Sequence, residues 1–237
     1  MSLWAEFLSH QGRGVTKWKP YFHAYQRHLQ RFVDQSILLI EIGVFDGGSL
    51  QLWKKFLGPF SRIVGIDIND DCKFEEDQIA VRIGNQADSG FLQSILDEFG
   101  QPDVVIDDGS HRSEDQISSF RYLYPRLSKD GVYVIEDLHV PYWDKEVGKV
   151  EPLGNTIDFC KSMIDELHGR YLTGRRSKFT DTTRSICFYD SLVVFERGVV
   201  QNLFAPRVGL SNFGPGIVMD QRGHRLLDPG ESLPQDT

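Results

Sequence analysis

The 237-residue chain has little cysteine, no long apolar run and fewer bases than acids, and each shortage excludes a class of protein. Its three cysteines, Cys72, Cys160 and Cys187, show no C-x-x-C spacing, so they form neither a disulfide framework nor a thiolate zinc site. A reducing compartment is expected, with the cytoplasm as default. No stretch nears the ~20 apolar residues of a membrane span. The opening MSLWAEFLSHQGRG lacks the basic start and apolar core of a signal peptide. The formal charge of −8 repels nucleic-acid phosphates over most of the surface. Neither nucleic acid nor membrane is an expected partner. Also missing is G-x-G-x-x-G, the turn that seats a pyrophosphate on a helix N-terminus, and no Tyr-x-x-x-Lys pair occurs. An NAD-dependent sugar epimerase or reductase is disfavoured on both counts.

What is present is ordinary for a folded α/β protein: 40% hydrophobic and 25% charged residues. One stretch organises the rest. From Leu38 to Asp67, an apolar β-rich run breaks into a Gly-rich turn, continues as an amphipathic helix and closes with a second strand. Its turn spells E-x-G-x-x-x-G-G, from Glu41 through Gly43, Asp46, Gly47 and Gly48, followed by Ser49. Glycines there let backbone approach a ligand, and Asp67, with Ile68 behind it, can accept hydrogen bonds from a ribose diol. A nucleoside without a pyrophosphate, such as S-adenosylmethionine, fits this unit. The bland alternative is a βα turn whose glycines serve chain geometry alone.

Around this unit the chain divides into a lead and covering helix (1–35), an α/β domain (36–197) and a Gly- and Pro-rich irregular tail (198–237) that could serve as an arm for a partner subunit. WKPYFHAYQRHLQRF places Tyr21, Phe22, Tyr25, Leu29 and Phe32 at helical spacing, mostly for packing, with Lys17, Tyr21 and His23 as weaker pocket candidates. After Asp67 a polar loop leads to the strand IAVRIG and a helix beginning near Asp88. Gln86, Ala87 and Asp88 are placed to border a base, although Asp88 suits an N-cap equally. PDVVIDDGSHRSEDQ is a strand ending in Asp107, Asp108 and His111, with S-x-x-Q from Ser113 to Gln116 as a capping box. VYVIEDLH is a strand ending in Glu136, Asp137 and His139. Residues 140–154, with Tyr142 and Trp143, suit a lid; a helix over 156–167 follows, capped by Asn155 or Thr156. Arg170, Arg175, Arg176, Lys178 and Arg184 form a basic cluster, more often a solvated loop than an anion site. SICFYD and SLVVFERG make a hairpin about Asp190-Ser191.

The chemistry gathers at two strand ends, in the crevice where open α/β sheets bind ligands. Asp108, Glu136 and Asp137 offer three hard oxygens, the set Mg²⁺ or Mn²⁺ prefers. Alone, each could serve a turn or a solvated loop, but clustered carboxylates repel one another unless a cation or a proton relieves them. His111 is the preferred general base and His139 its competitor, because an imidazole titrates near neutral pH. Asp107 is expected to face the cofactor or to stabilise the loop.

Together EIGVFDGGS, GIDI, VVIDDGSH, VIEDLH and the terminal hairpin resemble class I S-adenosylmethionine-dependent methyltransferases. Within them the chain is similar to the metal-dependent O-methyltransferases that methylate macrolide sugars, and to their cephalosporin hydroxylase-like relatives, over roughly Lys17 to Arg197. The resemblance implies a mostly parallel seven-stranded sheet in the order 3-2-1-4-5-7-6 with helices on both faces. It also implies that D-G-S-H supplies a metal ligand, Asp108, and a catalytic His111, while the E-D pair supplies Glu136 and Asp137. The expected reaction is methylation of a hydroxyl on a small acceptor, with a homo-oligomer as the expected assembly. A metal-independent N- or C-methyltransferase and a non-catalytic nucleoside-binding module are the alternatives.

Overall fold

The computed structural model describes residues 2–142, 154–199, 204–205 and 219–220. Its elements run α1 (Leu3–Leu8), α2 (Tyr21–Leu29), β1 (Leu38–Ile42), α3 (Gly48–Leu57), β2 (Arg62–Asp67), β3 (Glu75–Glu76), β4 (Ile79–Ile83), α4 (Ser89–Phe99) and β5 (Val104–Asp107). Then come α5 (Ser113–Leu123), β6 (Val132–Ile135), α6 (Thr156–Leu167), α7 (Lys178–Thr182), β7 (Thr183–Tyr189) and β8 (Leu192–Arg197). Residues 1–199 form one unit. In residues 200–237, a second unit, β9 (Phe204–Ala205) pairs antiparallel with β10 (Met219–Asp220). No helix among the described residues is long and apolar enough to cross a membrane.

The main sheet has the order β3-β4-β2-β1-β5-β6-β8-β7. Without β3, a two-residue edge strand antiparallel to β4, this is the expected 3-2-1-4-5-7-6 arrangement. The central strands pair in parallel, and β8 enters antiparallel between β6 and β7.

Alternation along the strands builds two apolar layers. Leu39, Ile63, Val81, Ile106, Val134 and Val194 share one layer with Leu3, Phe22, Tyr25 and Trp53 from α1, α2 and α3. Ile40, Val64, Val105, Tyr133, Val193 and Phe195 share the other with Leu92, Ile95, Phe120, Leu123 and Cys160 from α4, α5 and α6. Period-two strands buried on both faces account for the continuous apolar runs in the sequence.

Two local expectations change, and one alternative is settled. A helix over Leu3–Leu8, capped by the Ser2 side chain, stands where the sequence showed only a mixed lead. The capping box at Ser113 does not form: Arg112 is the N-cap, without a side-chain bond, and Ser113 Oγ instead accepts from Thr156 N at 3.1 Å. At α6 Asn155 is the cap, accepting from Asp158 N at 3.0 Å. Most of the expected lid, including Trp143, lies outside the described residues.

Candidate active site

The pleat decides which way each carboxylate faces. Glu41 follows Leu39, Asp108 follows Ile106 and Glu136 follows Val134, so all three fall on the α2 side of the sheet. Asp107, one residue earlier, falls on the other side. There it is fully buried, accepting from Ser119 Oγ at 2.5 Å, Tyr133 Oη at 3.0 Å and Gln86 Nε2 at 3.1 Å. Burial raises its pKa despite those three donors. Asp107 thus bolts the loop after β4 to α5 and β6.

On the α2 side Lys17 meets all three carboxylates. Its ammonium, on a side chain 3% exposed, lies 2.6 Å from Asp108 Oδ2, 3.0 Å from each Glu136 oxygen and 3.3 Å from Glu41 Oε1. Ser49 Oγ donates to Glu41 Oε2 at 2.6 Å, and Tyr25 Oη donates to Glu136 Oε1. Burial works against the Lys17 ammonium, but the charges of Asp108, Glu136 and Glu41 outweigh it and hold its pKa well above the ordinary lysine range. Burial and the charge of Asp108 push Glu136 up, and burial raises Glu41 against the pull of Lys17.

A second group lies on the far side of Asp108. His111 Nε2 is 3.9 Å from Asp108 Oδ1 and 3.7 Å from Asp137 Oδ2. Asp137 escapes the alternation through a left-handed backbone, φ 57°, and Tyr21 Oη donates to its Oδ1 at 2.7 Å. His111 shares that φ of 57°. Strained backbone at both residues aims them together, and such strain collects at functional sites. His139 stands beside this group, 4.0 Å from Asp137 Oδ1, tied to Ser191 Oγ and edge-on to Trp18.

Three cavities meet here. One, ≈360 Å³, is lined by Gly14, Thr16, Lys17, Gly43, Ser49 and Asp67, among others. A second, ≈520 Å³, is lined by Ile68, Asn85, Gln86 and Ser110 and shares Gly43, Asp67 and Gly109 with the first. Together they make a two-lobed crevice over the carboxyl ends of β1, β2 and β4. A third, ≈300 Å³, runs from Thr16, Lys17, Trp18 and Lys19 to Asp108, Glu136 and Asp137.

Asp67 stands where the lobes join, its carboxylate accepting from Val44 N at 2.8 Å and Asn69 N at 2.9 Å. Burial opposes its ionisation, but backbone donors at Asn69, Val44 and Phe45 hold its pKa below the usual carboxylate value. The crevice needs close backbone approach. A Cβ on Gly43, φ 92°, would lie 2.1 Å from the Asp108 carbonyl oxygen, and one on Gly109 2.2 Å from Gln86 Oε1.

Other candidates lie elsewhere. Gly47 and Gly48 face Phe74 and the carbonyls of Arg13 and Gly14, making room for the N-terminal segment. Asp46 is exposed on that side of the turn, outside the cavities. Asp88 caps α4 through Gly90 N at 2.8 Å, and Ala87 N donates to Asn85 Oδ1; neither lines a lobe. In the basic cluster Arg170 and Arg176 pair with Asp181, Arg175 with Asp165 and Arg184 with Asp130. Sequence reasoning passed over Tyr25 as a site residue, and with it Trp18, Asn85 and the 14–16 backbone. Two hydroxyl-bearing residues one helical turn apart, Tyr21 and Tyr25, carried the available signal.

The donor set suits a small hard cation. Asp108, His111 and Asp137 each offer a ligand atom, all within 4.8 Å of one another, and so do Glu41, Asp108 and Glu136. Separations of 3.7 and 3.9 Å from His111 Nε2 to Asp137 and Asp108 are too long for hydrogen bonds, so the imidazole can stand beside an ion held by the carboxylates rather than bind it. The two-lobed crevice likewise suits an elongated nucleoside.

No family model matches the chain. It is 36% identical over 200 residues to 8-demethyl-8-alpha-L-rhamnosyl tetracenomycin-C 2'-O-methyltransferase of Streptomyces olivaceus, covering 78% of this chain and 52% of that protein. It is 35% identical over 193 residues to demethylmacrocin O-methyltransferase of Streptomyces fradiae, covering 74% and 48%. The chain spans about half the length of these curated relatives. Among solved structures, the MycE methyltransferase from the mycinamycin biosynthetic pathway, in complex with Mg, SAH and mycinamycin VI, superposes with a TM-score of 0.71 at 31% identity. That match covers 83% of this chain and 53% of the other.

Proposed function

Since the chain belongs to the family of these sugar- and macrolide-directed O-methyltransferases, we propose that it transfers a methyl group from S-adenosylmethionine to a hydroxyl of a small glycosylated acceptor, assisted by Mg²⁺. One observation carries this reading: the two-lobed crevice and the third cavity share Thr16, Lys17 and Asp108, so a donor and an acceptor would meet at the carboxylates.

In this reading Asp67 holds the ribose diol, Gln86 and Ile68 border the base, and Gly43 lets the amino-acid end lie against the turn. Asp108 and Asp137, beside His111, would hold the metal, and Glu136 shares Asp108 with them from the grouping around Lys17. The bound ion would supply Lewis acidity that makes an acceptor hydroxyl easier to deprotonate. With its ring proton on Nδ1, His111 takes the hydroxyl proton at Nε2, the nitrogen facing Asp108 and Asp137. Tyr21 keeps Asp137 in place through its 2.7 Å hydrogen bond, and Lys17 and Tyr25 do the same for Glu136. Alignment of nucleophile, methyl and leaving sulfur supplies the remaining acceleration.

The test is incubation with S-adenosylmethionine, Mg²⁺ and a panel of deoxysugar glycosides, read by mass spectrometry for a gain of one methylene. Chelation should abolish the product. Methylation that survives exhaustive chelation removes the metal. Tight binding of S-adenosylhomocysteine with no product from any acceptor favours a non-catalytic nucleoside-binding module.

A further inference from the structure

Resting on the metal-assisted reading above, we propose that Lys17 is a resident cation filling one seat of a carboxylate-bridged pair of cation sites, so that the protein takes one divalent ion and not two. The two seats share Asp108. Its Oδ1 lies 3.9 Å from His111 Nε2, which lies 3.7 Å from Asp137 Oδ2, while its Oδ2 is the 2.6 Å partner of the Lys17 ammonium. A carboxylate whose two oxygens serve neighbouring cations is the arrangement of two-metal sites, where the ions stand ~3.5–4 Å apart.

The second seat has the composition of a metal cage. It gathers Glu41, Asp108 and Glu136 from three adjacent strand ends, with ligand atoms within 4.8 Å. Glu41 and Glu136 are 0% and 1% exposed, so water does little to separate their charges. Carboxylates clustered in this way are relieved by a proton or by a cation. The chain supplies one, since an ammonium is a compact point charge with three donors, and Lys17 Nζ has four carboxylate oxygens within 3.3 Å.

The ammonium is delivered with little freedom. Its segment is pinned on α3, where Gly48 N donates to Gly14 O at 3.1 Å and Arg13 N to Gln51 Oε1 at 2.8 Å. Arg13 also lies over the Phe74 ring at 3.9 Å. A second divalent ion would have to evict this fixed positive charge and break that anchorage.

Mn²⁺ titration of the purified chain, followed by electron paramagnetic resonance, counts the ions without any turnover. Wild-type protein should take up one Mn²⁺ per chain. Lys17→Met, which keeps the length of the side chain and removes its charge, should take up two, with the line broadening of a close spin pair. Lys17→Met combined with Glu41→Gln should return to one. Two ions in the wild type, or one in Lys17→Met with unchanged affinity, overturns the proposal. If Lys17→Met fails to fold, Glu41→Gln alone decides: Glu41 touches Lys17 but not the seat beside His111, so stoichiometry and affinity should hold, and loss of the ion refutes the two-seat geometry. Should the wild type bind no ion and Lys17→Met bind one, the resident-cation role stands while the metal-assisted reading fails. If neither binds an ion, both fall.

Discussion

Replacing Gly43 by alanine probes the closest approach in the crevice. The new Cβ would lie 2.1 Å from the Asp108 carbonyl oxygen and 2.7 Å from its carbon. Comfortable contact needs ~3.5 Å, so the Asp108 backbone must retreat by more than ~1 Å. Holding alanine at φ 92° adds ~1–2 kcal/mol of backbone strain, and overpacking adds ~1–3 kcal/mol. At roughly 2–4 °C per kcal/mol for a domain of this size, a middle value near 3 kcal/mol lowers Tm by about 6–12 °C. Gly174→Ala is the control. It shares a positive φ, 74°, but has nothing within 4 Å, so it should show the backbone cost alone, about 2–8 °C. Because Asp108 borders all the proposed chemistry, Gly43→Ala should also weaken S-adenosylhomocysteine by at least about tenfold in calorimetry, ~1.4 kcal/mol, while Gly174→Ala leaves it unchanged. A Gly43→Ala protein that melts with Gly174→Ala and binds the nucleoside like wild type would show that the turn does not shape the crevice.

Three further substitutions test separate parts. His111→Ala should cut turnover by roughly 10²–10⁴ while sparing nucleoside binding; if His139→Ala is the crippled variant instead, the base is assigned to the wrong loop. Asp67→Ala should raise the Kd for S-adenosylhomocysteine by roughly 10- to 100-fold, the worth of hydrogen bonds to a charged acceptor, and an unchanged Kd places the ribose elsewhere. Glu196 is held from the ordinary 4.5 down to about 2, chiefly by His28 and then by Ser185 and Arg31 against the cost of burial. A carboxylate whose folded pKa is depressed contributes stability above its unfolded pKa and loses it as pH falls towards 2. The full shift corresponds to ~3 kcal/mol, which solvent screening discounts to ~1–2 kcal/mol. Denaturant unfolding of Glu196→Gln should therefore show a deficit of that size at pH 7 that closes between about pH 4.5 and 2; a deficit constant with pH argues against this linkage.

How much of this was legible in the sequence depends on the range of each interaction. The strands and helices followed from apolar runs alternating with amphipathic stretches and a terminal hairpin, all local signals, while their order followed from the family resemblance; in the main sheet only the two-residue β3 lacked a pattern of its own. The carboxyl-end crevice followed from that order. Side-chain direction at the strand ends was harder. Asp107 and Asp108 are neighbours of one type, and the pleat alone sends one into the core and the other into the crevice. At Glu136-Asp137 the same rule is broken by the φ of 57° at Asp137, a conformation Asp adopts more readily than most residues but too seldom to be read from residue type alone. The glycine turn carried two meanings that look alike in sequence. Gly43 lets the turn close onto the Asp108 backbone at the crevice, whereas Gly47 and Gly48 admit the protein's own N-terminal segment.

That segment explains why the lead belongs to the site. Lys17 reaches Glu136 across 119 positions and Tyr21 reaches Asp137 across 116, separations at which no local periodicity carries information. Helix α2 joins these contacts into one body: Tyr21 and Tyr25 hold the two acids after β6, and His28, one turn further on, is fixed to Glu196 on β8 at 2.8 Å. Both ends of α2 are thus tied to β6 and to the strand paired with it. A displacement of α2 would move Glu136 and Asp137 together rather than singly. The acids after β6 are therefore positioned by a helix that precedes the first strand.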